Sequence, residues 1–495
     1  MWVQVPLTTL SKIMLIVWLC VIPLITSVLI NLTNMRESLL KKVSLISCSI
    51  SFLLSLNLWL FYDKLDPKFQ FVSDLGWANY WNISLYLGVD GLSIFFILLT
   101  TFLTPICLLA SFVSIRHDIK LFITLFLIME SLLIAAFSVL NLILFYVFFE
   151  GILIPMFLII GIWGSRSRKI KAAYYLFFYT LVGSILMLLA ILFIYSEVGS
   201  TDVFSLMAYN FKKDHELILW LLFFIAFAVK VPMFPFHIWL PEAHVEAPTA
   251  GSVMLAGVLL KLGGYGFLRF LIPVFPYATH FYLPLVFTLA VVGIIYASLT
   301  TIRQVDLKKI IAYSSVAHMN LCVLGLFSLN IQGLEGGVVL MIGHGIVSGA
   351  LFLLVGVLYD RHHSRLLRYY SGLTQVMPLF SSFFLFFSLA NIGLPGTSNF
   401  VGEILVFVGL FKKSTFIAFI AGWGMVLCAV YAIWLHNRIN FGTLKTKYIV
   451  SFKDLTLREL HIFLFFAILT LLLGVYPTPI INTIHTSLSF LLNTL

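Results

Sequence analysis

The chain has 495 residues, 61% of them hydrophobic and 10% charged. Soluble domains carry about 25% charged residues, so an ordinary soluble globular protein is excluded and an all-α polytopic membrane protein is expected. The net charge of +10 therefore needs a topological explanation before a partner is invoked to neutralise it.

The opening MWVQVPLTTLSK lacks the Arg-rich amphipathic pattern of a transit peptide, and the apolar run at residues 13–30 has no A-x-A cleavage site. That run reads as a retained spanning helix. A chain this apolar is hard to import, which favours synthesis inside its own compartment. At about 20 apolar residues per span, the chain holds roughly fourteen transmembrane segments. They centre near Val21, Phe52, Thr101, Met129, Phe149, Ser184, Phe223, Gly257, Ala290, Ala317, Gly345, Leu385, Trp423 and Thr470.

Two of these segments are discontinuous. Residues 226–251, AFAVKVPMFPFHIWLPEAHVEAPTAG, run as an apolar helix into Lys230 and then meet Pro232 and Pro235. Proline removes a backbone donor and clashes with the preceding turn, so the helix breaks there. Residues 380–412 break at NIGLPGTSN, around Pro395 and Gly396. In hydrocarbon such breaks are tolerated only where protein or a water-filled cavity satisfies the freed backbone. The broken segments are the seventh and twelfth, five apart. Paired interruptions point to an internal repeat with its site at the repeat interface, and an odd offset inverts the second unit. The expected organisation is a three-helix segment at 1–115, inverted five-helix repeats at 116–272 and 273–440, and an amphipathic connection with the last transmembrane helix at 441–495.

Of the 30 Lys and Arg, twenty fall in odd-numbered connections and six in even-numbered ones. This asymmetry is the positive-inside pattern, with odd connections on the cytoplasm-like side and both termini on the other. The basic balance is thus membrane topology. No basic patch interleaved with aromatics points to nucleic acid. The five cysteines, Cys20, Cys48, Cys107, Cys322 and Cys428, lie far apart in apolar segments and read as small buried hydrophobes. No Cys/His ligand spacing, GxGxxG or Walker loop occurs. No metal or cofactor site is expected in this chain, and any NADH or ATP chemistry belongs to a partner.

Seven ionisable residues fall inside apolar spans: Glu130, Glu150, Lys230, Lys261, His318, His344 and Glu403. Each costs about 2.5–3.5 kcal/mol at a helix centre. They occur roughly once per span as acid, acid, base, base, His, His, acid. A proton route needs groups that exist in both protonation states. Burial disfavours the charged form and an opposite charge restores it, so opening or closing a Glu150–Lys230 pair would act as a switch. Histidine passes protons between its two nitrogens near neutral pH. The bland readings are core histidines and a structural ion pair. Arg269, near the end of its span, reads as a snorkelling anchor. His237 and His244 do not form HExxH, and Gly263, Gly264 and Gly266 read as a helix-packing cluster.

Four blocks carry a resemblance. KVPMFPFHIWLPEAHVEAPTAGSVMLAGVLLKLGGYGFLRF, TTIRQVDLKKIIAYSSVAHMN, HGIVSGALFLLVGVLYDR and ANIGLPGTSNFVGE resemble the chain 4 family of mitochondrial NADH–ubiquinone oxidoreductase, respiratory complex I, in its plant and algal form. The resemblance implies fourteen transmembrane helices with two inverted five-helix units, in an antiporter-like proton-translocating subunit of the membrane arm. It implies that NADH, FMN, the Fe–S clusters and ubiquinone are bound by other chains. It places the input pair on Glu150 and Lys230, with Glu130 as a second acid. The central lysine falls on Lys261, the connecting histidines on His318 and His344, and the terminal group on Glu403. Implied partners are other complex I subunits, above all the two neighbouring antiporter-like subunits, and membrane lipids such as cardiolipin. The implied location is the mitochondrial inner membrane, with organelle encoding. Two rival readings stay open: a standalone cation/proton antiporter subunit, and a membrane scaffold whose polar residues only hold helices together. A chloroplast-type relative is a further alternative.

Overall fold

Proline, glycine and polar punctuation divide the apolar chain into helices, and the computed structural model describes residues 7–74, 76, 85–446 and 453–493. Lys447, one of the basic residues of the last odd connection, lies outside the described residues. Helices α1 (Leu7–Leu32) and α2 (Glu37–Leu60) precede a two-stranded antiparallel sheet, β1 (Gln70–Asp74) with β2 (Tyr86–Val89). The all-α expectation is corrected by this hairpin: residues 63–88 carry enough polar chain to pair outside the apolar spans. Then come α3 (Gly91–Ser114), α4 (Ile119–Ser138), and α5 (Leu142–Gly151) leading into α6 (Leu153–Trp163). Next are α7 (Lys169–Val198), the short α8 (Val203–Ala208), α9 (Lys213–Lys230) and α10 (Trp239–Glu246).

Residues 249–274 form one helix with two widened turns. Helices α11 (Thr249–Met254), α12 (Leu260–Gly266) and α13 (Ile272–Val274) are joined by π turns at Leu255–Leu259 and Phe267–Leu271. The second half holds α14 (Pro276–Arg303), α15 (Leu307–Leu326), α16 (Ile331–His362), α17 (Pro378–Ile392) and α18 (Ser398–Lys413). It closes with α19 (Thr415–Asn440), α20 (Leu457–Val475) and α21 (Thr478–Asn493).

Among the described residues, twelve helical segments are long and apolar enough to cross a membrane. This is fewer than the fourteen expected, for a physical reason. α9 carries Lys213, Asp214, Glu216 and Lys230, and α17 and α18 are each shorter than a full span because their segment is interrupted. The span Thr249–Val274 and the apolar middle of α16 are buried and form the centre of the bundle. α1, α2, α7, α19 and α20 keep broad apolar faces exposed, as lipid-facing helices do. The amphipathic α21 was not anticipated. Pro477 and Pro479 end α20 and start a new helix that turns back against α3 and α16; proline suits a first turn, where its missing donor has no partner to lose.

The sheet and the end of the central span are locked together by charge. Asp90 caps α3, accepting from Ser93 N–H at 3.0 Å while its own N–H donates to Ser93 Oγ at 3.0 Å. The same carboxylate meets the Arg269 guanidinium at 2.6 Å. Arg269 Nε donates to Tyr265 Oη at 3.1 Å, and the guanidinium lies 4.7 Å from the Phe69 ring centre. Arg269 is only 5% exposed, so it is no snorkelling anchor. The snorkelling expectation fails because the loop before α3 supplies a buried carboxylate that sequence distance hides. Removing one partner strands the other's charge. Arg269→Met is expected to lower the stability of the assembled protein by about 3–5 kcal/mol, read as a fall in melting temperature. Adding Asp90→Asn should restore part of that loss.

Candidate functional site

Both breaks occur in the structure, and protein groups satisfy part of the backbone they free. α9 ends at Lys230 and the chain reaches α10 through residues 231–238, across Pro232 and Pro235. The freed Val229 carbonyl accepts from the Trp239 indole at 2.9 Å, and the Pro232 carbonyl accepts from Asn320 Nδ2 at 3.3 Å. The second break, residues 393–397, contains Pro395 and Gly396 and separates α17 from α18. There the Leu394 carbonyl accepts from both the Thr397 N–H and the Thr397 hydroxyl. At each interruption protein donors thus take up part of the backbone that the break frees.

The first break presents Lys230, which is 3% exposed. Its ammonium does not contact the Glu150 carboxylate. It points instead to the Phe149 carbonyl at 3.5 Å and lies 4.3 Å from the Phe149 ring centre. Glu150, half-buried on the same turn, keeps Oε1 without a protein partner. The two groups are adjacent but open. A cation over a ring face is stabilised by about 0.5–2 kcal/mol, less than a close charge pair gains in low dielectric, so a small shift of the turn carrying Phe149 and Glu150 changes what the lysine pairs with.

Lys261 lies in the next span. A π turn closes with an i+5 bond and widens the helix. In this chain the widened turn exposes the Ala256 carbonyl to the Lys261 ammonium five residues on, and the two are hydrogen-bonded. The same ammonium meets His344 Nδ1 at 2.9 Å. The His344 ring centre is 5.7 Å from that of His318, and His318 Nδ1 is 3.5 Å from Glu403 Oε1. Lys261 and His344 are fully buried, and His318 and Glu403 nearly so. Four of the seven residues singled out in the sequence thus form one row, Lys261–His344–His318–Glu403. His344 Nε2 and Glu403 Oε2, inside the row, have no protein partner, which is where a mobile proton or water finds free valence.

The other three stand differently. Lys230 approaches the row through backbone packing: a Cβ on Gly263 would lie 3.1 Å from Lys230 Cβ and 2.9 Å from the Phe227 carbonyl. Glycine is required there for α9 and α12 to come this close. No hydrogen bond joins Lys230 to Lys261 among the described residues. Glu130 is fully buried on α4, where it accepts from Cys48 Sγ at 3.2 Å. Its link runs toward α2. Two cysteines therefore depart from the small-hydrophobe expectation: Cys48 serves Glu130, and Cys428 Sγ lies 3.6 Å from His318 Nε2.

Sequence reasoning missed a cavity beside the helix restart. A cavity of about 460 Å³ is lined by Arg116, Ser165, Ala247, Lys308, Asp360 and His363, among others. Those residues come from loops or helix ends on the basic face. Lys308 is 2% exposed although it counts as a connection residue in the sequence. Its ammonium donates to the Ala247 carbonyl at 2.8 Å and to Ser252 Oγ at 3.3 Å, and Ser252 Oγ donates to the His244 carbonyl at 3.0 Å. His244 stacks on Phe352 at 4.7 Å with neither ring nitrogen partnered, and the charges it faces are Lys308 and Lys261. The signal was present in HVEAPTAG, where two ionisable residues sit beside a helix restart.

Residues 138–430 match the family described as NADH:quinone oxidoreductase/Mrp antiporter, transmembrane. The chain is 55% identical over 472 residues to NADH-ubiquinone oxidoreductase chain 4 of Marchantia polymorpha, covering 95% of each. The chain belongs to the NADH-ubiquinone oxidoreductase chain 4 family. The Arabidopsis thaliana chain 4 is 56% identical over 462 residues, covering 93% of each. Among solved structures, a chain of respiratory complex I from Thermus thermophilus with bound NADH superposes with a TM-score of 0.86 at 31% identity, covering 96% of this chain and 99% of that one. A chain of the Mrp complex from Dietzia gives a TM-score of 0.87 at 20% identity over 98% of each, a likeness of fold alone.

One glycine sets the far end of this chain 4 row. Gly393 closes α17 with φ +85°, and a Cβ there would collide with the Glu403 carboxylate. Gly393→Ala combines a left-handed backbone with an overpacked carboxylate. It is expected to cost about 1–3 kcal/mol and to move Glu403 away from His318. The check is the melting temperature of the assembled complex together with its proton translocation, and both should fall.

Proposed function

We propose that this chain is a core proton-translocating membrane subunit of respiratory complex I. NADH oxidation and ubiquinone reduction would take place on other subunits, with FMN and Fe–S clusters bound there. This chain would help move protons across the mitochondrial inner membrane. The single observation that carries the reading is the row Lys261–His344–His318–Glu403, closed by direct or ring-to-ring contacts inside a bundle of the chain 4 family.

The mechanism follows from the electrostatics of the row. With Glu150 open, Lys230 rests against Phe149. When a perturbation from a neighbouring subunit brings Glu150 and Lys230 together, the lysine's charge is neutralised locally. When they part again, that charge acts through low dielectric on Lys261, where unit charges interact far more strongly than in water. Lys261 then passes a proton to His344 Nδ1, His344 gives one up from Nε2, and His318 exchanges with Glu403. Glu130, held by Cys48, supplies a second acid to the input side. The cavity beside Lys308, with His244 behind it, is the access from the basic face. Moving one charge against the membrane potential takes about 2.3 kcal/mol per 100 mV, and the redox chemistry of the other subunits provides it.

The topological parts of the proposal are fourteen spans with two discontinuous helices, and two inverted five-helix repeats at 116–272 and 273–440. The support is the matched pair of interruptions, α9 to α10 and α17 to α18. The gathering of Arg116, Ser165, Ala247, Lys308 and His363 around one cavity agrees with odd-numbered connections sharing a face. Exposed apolar sides on α1, α2, α7, α19 and α20 suit the two neighbouring antiporter-like subunits and lipids, cardiolipin among them. An inner-membrane protein this apolar is best made inside the organelle.

Reconstituted complex carrying Lys261→Ala tests the function. Fewer protons should be translocated per NADH oxidised, with native-gel assembly and NADH oxidation by an artificial acceptor unchanged. Unchanged proton stoichiometry in assembled complex would take Lys261 off the route and favour the scaffold reading. The particle purified through this chain should also carry flavin and iron, and their absence would favour a standalone antiporter.

A further inference from the structure

The His318–Glu403 end of the row carries a branch that the mechanism above does not use. His318 Nε2 faces Cys428 Sγ at 3.6 Å, and that sulfur lies 2.9 Å from Tyr431 Oη. Cys428 and Tyr431 are one helical turn apart on α19, inside its buried stripe. Tyr431 forms a wall common to two cavities of about 20 Å³ each. One is lined by His318, Glu403 and Cys428, and the other by Ser314, Ser388 and Asn391. A volume of about 10–15 Å³ suffices for one water where polar partners converge. Both cavities meet that size, and in both the walls are largely apolar with the polar atoms grouped around Tyr431.

The polar stripe continues toward the basic face. Buried His436 stacks on Phe384 with ring centres 6.1 Å apart. One turn further, fully buried Asn440 accepts from Ser381 Oγ at 3.3 Å and keeps Nδ2 without a protein partner. At about 1.5 Å per residue, Cys428 and Asn440 are about 18 Å apart along α19. That is half of a hydrocarbon core of about 30 Å and a little more. Asn440 ends α19 one half-turn after Arg438, and in the connection that follows Lys445 Nζ donates to the Arg368 carbonyl at 2.7 Å. A purely apolar interface between α17 and α19 would seal these helices at lower cost, since each buried polar atom must find a partner. The repeated placement of Ser381, Ser388, Asn391, Tyr431 and Asn440 along one seam therefore calls for a function.

We infer that Cys428 and Tyr431 form a proton relay linking the His318–Glu403 end of the row to the basic face along the α17–α19 seam, so that this end exchanges protons separately from the cavity at Lys308. The inference rests on the proton-translocating reading. The step balances as a hydrogen-bond exchange. The Cys428 S–H proton passes to His318 Nε2, the Tyr431 O–H proton passes to Cys428 Sγ, and Tyr431 regains a proton from water in the cavity beside Ser388. That water is reprotonated in turn from the basic face, past Asn440 and His436.

The test uses reconstituted complex with Tyr431→Phe, and separately Cys428→Ser and Cys428→Ala, each compared with Lys261→Ala. The readouts are protons per NADH, coupled turnover in light and heavy water, and artificial-acceptor NADH oxidation as the assembly control. Tyr431→Phe should lower coupled turnover several-fold. Cys428→Ser should exceed Cys428→Ala, because a hydroxyl still relays whereas a role in packing alone would rank alanine equal or higher. Normal pumping by Tyr431→Phe with impaired Lys261→Ala would overturn the branch and leave the row standing. Normal pumping by both would overturn the row as well. If Tyr431→Phe fails to assemble, the cysteine pair decides, and equal rates for serine and alanine overturn the relay.

Discussion

The cost of leaving a charge or a broken backbone unpaired in hydrocarbon is the constraint on which this structure depends. The two most central spans are also the ones that carry Lys261 and His344. Burying an ammonium at that depth is feasible only because the Leu255–Leu259 π turn turns a backbone carbonyl toward it and α16 brings a ring nitrogen to 2.9 Å. The proline break before α10 exists on the same terms. Trp239 and Asn320 donate to the Val229 and Pro232 carbonyls beside the break. At the first break the donors come from other elements, at the second from Thr397 within the break, and at the π turn from Lys261 of the same span.

The row differs from a structural salt-bridge network in its incompleteness. Arg269 and Asp90 at 2.6 Å, flanked by Tyr265 and the α3 cap, leave little to rearrange. That pair anchors. Lys230 over a phenyl ring beside a Glu150 with one oxygen free, and His344 with one nitrogen free, are held loosely by comparison. A buried polar network that is only partly satisfied is costly. Where it recurs along one line through the molecule, proton movement is a use that repays the cost.

Much of this was legible in the sequence because the signals are local. Proline in an apolar run marks a break wherever it occurs. A lysine, glutamate or histidine in such a run is conspicuous without any knowledge of packing, and four of the seven found this way meet in space. Partnership was not legible. Arg269 finds Asp90, and Cys48 finds Glu130, only after the helices are assembled, and nothing near either residue names its partner. The π turns have no propensity signature to betray them. Lys308 looked like a loop cation because its depth is set by the neighbouring loops around Ala247 and Asp360. The chain 4 resemblance supplied residue roles that spacing alone left open, and the structure brings Lys261, His344, His318 and Glu403 into one row.

The row's central claim is that a buried carboxyl changes protonation during turnover. Infrared difference spectroscopy of reconstituted complex under NADH-driven turnover addresses it directly, with Glu403→Gln identifying the band. The account predicts a protonated-carboxyl signal that changes between resting and turning-over complex and is missing from the variant. No carboxyl signal lost on Glu403→Gln, in complex that still pumps, would contradict it.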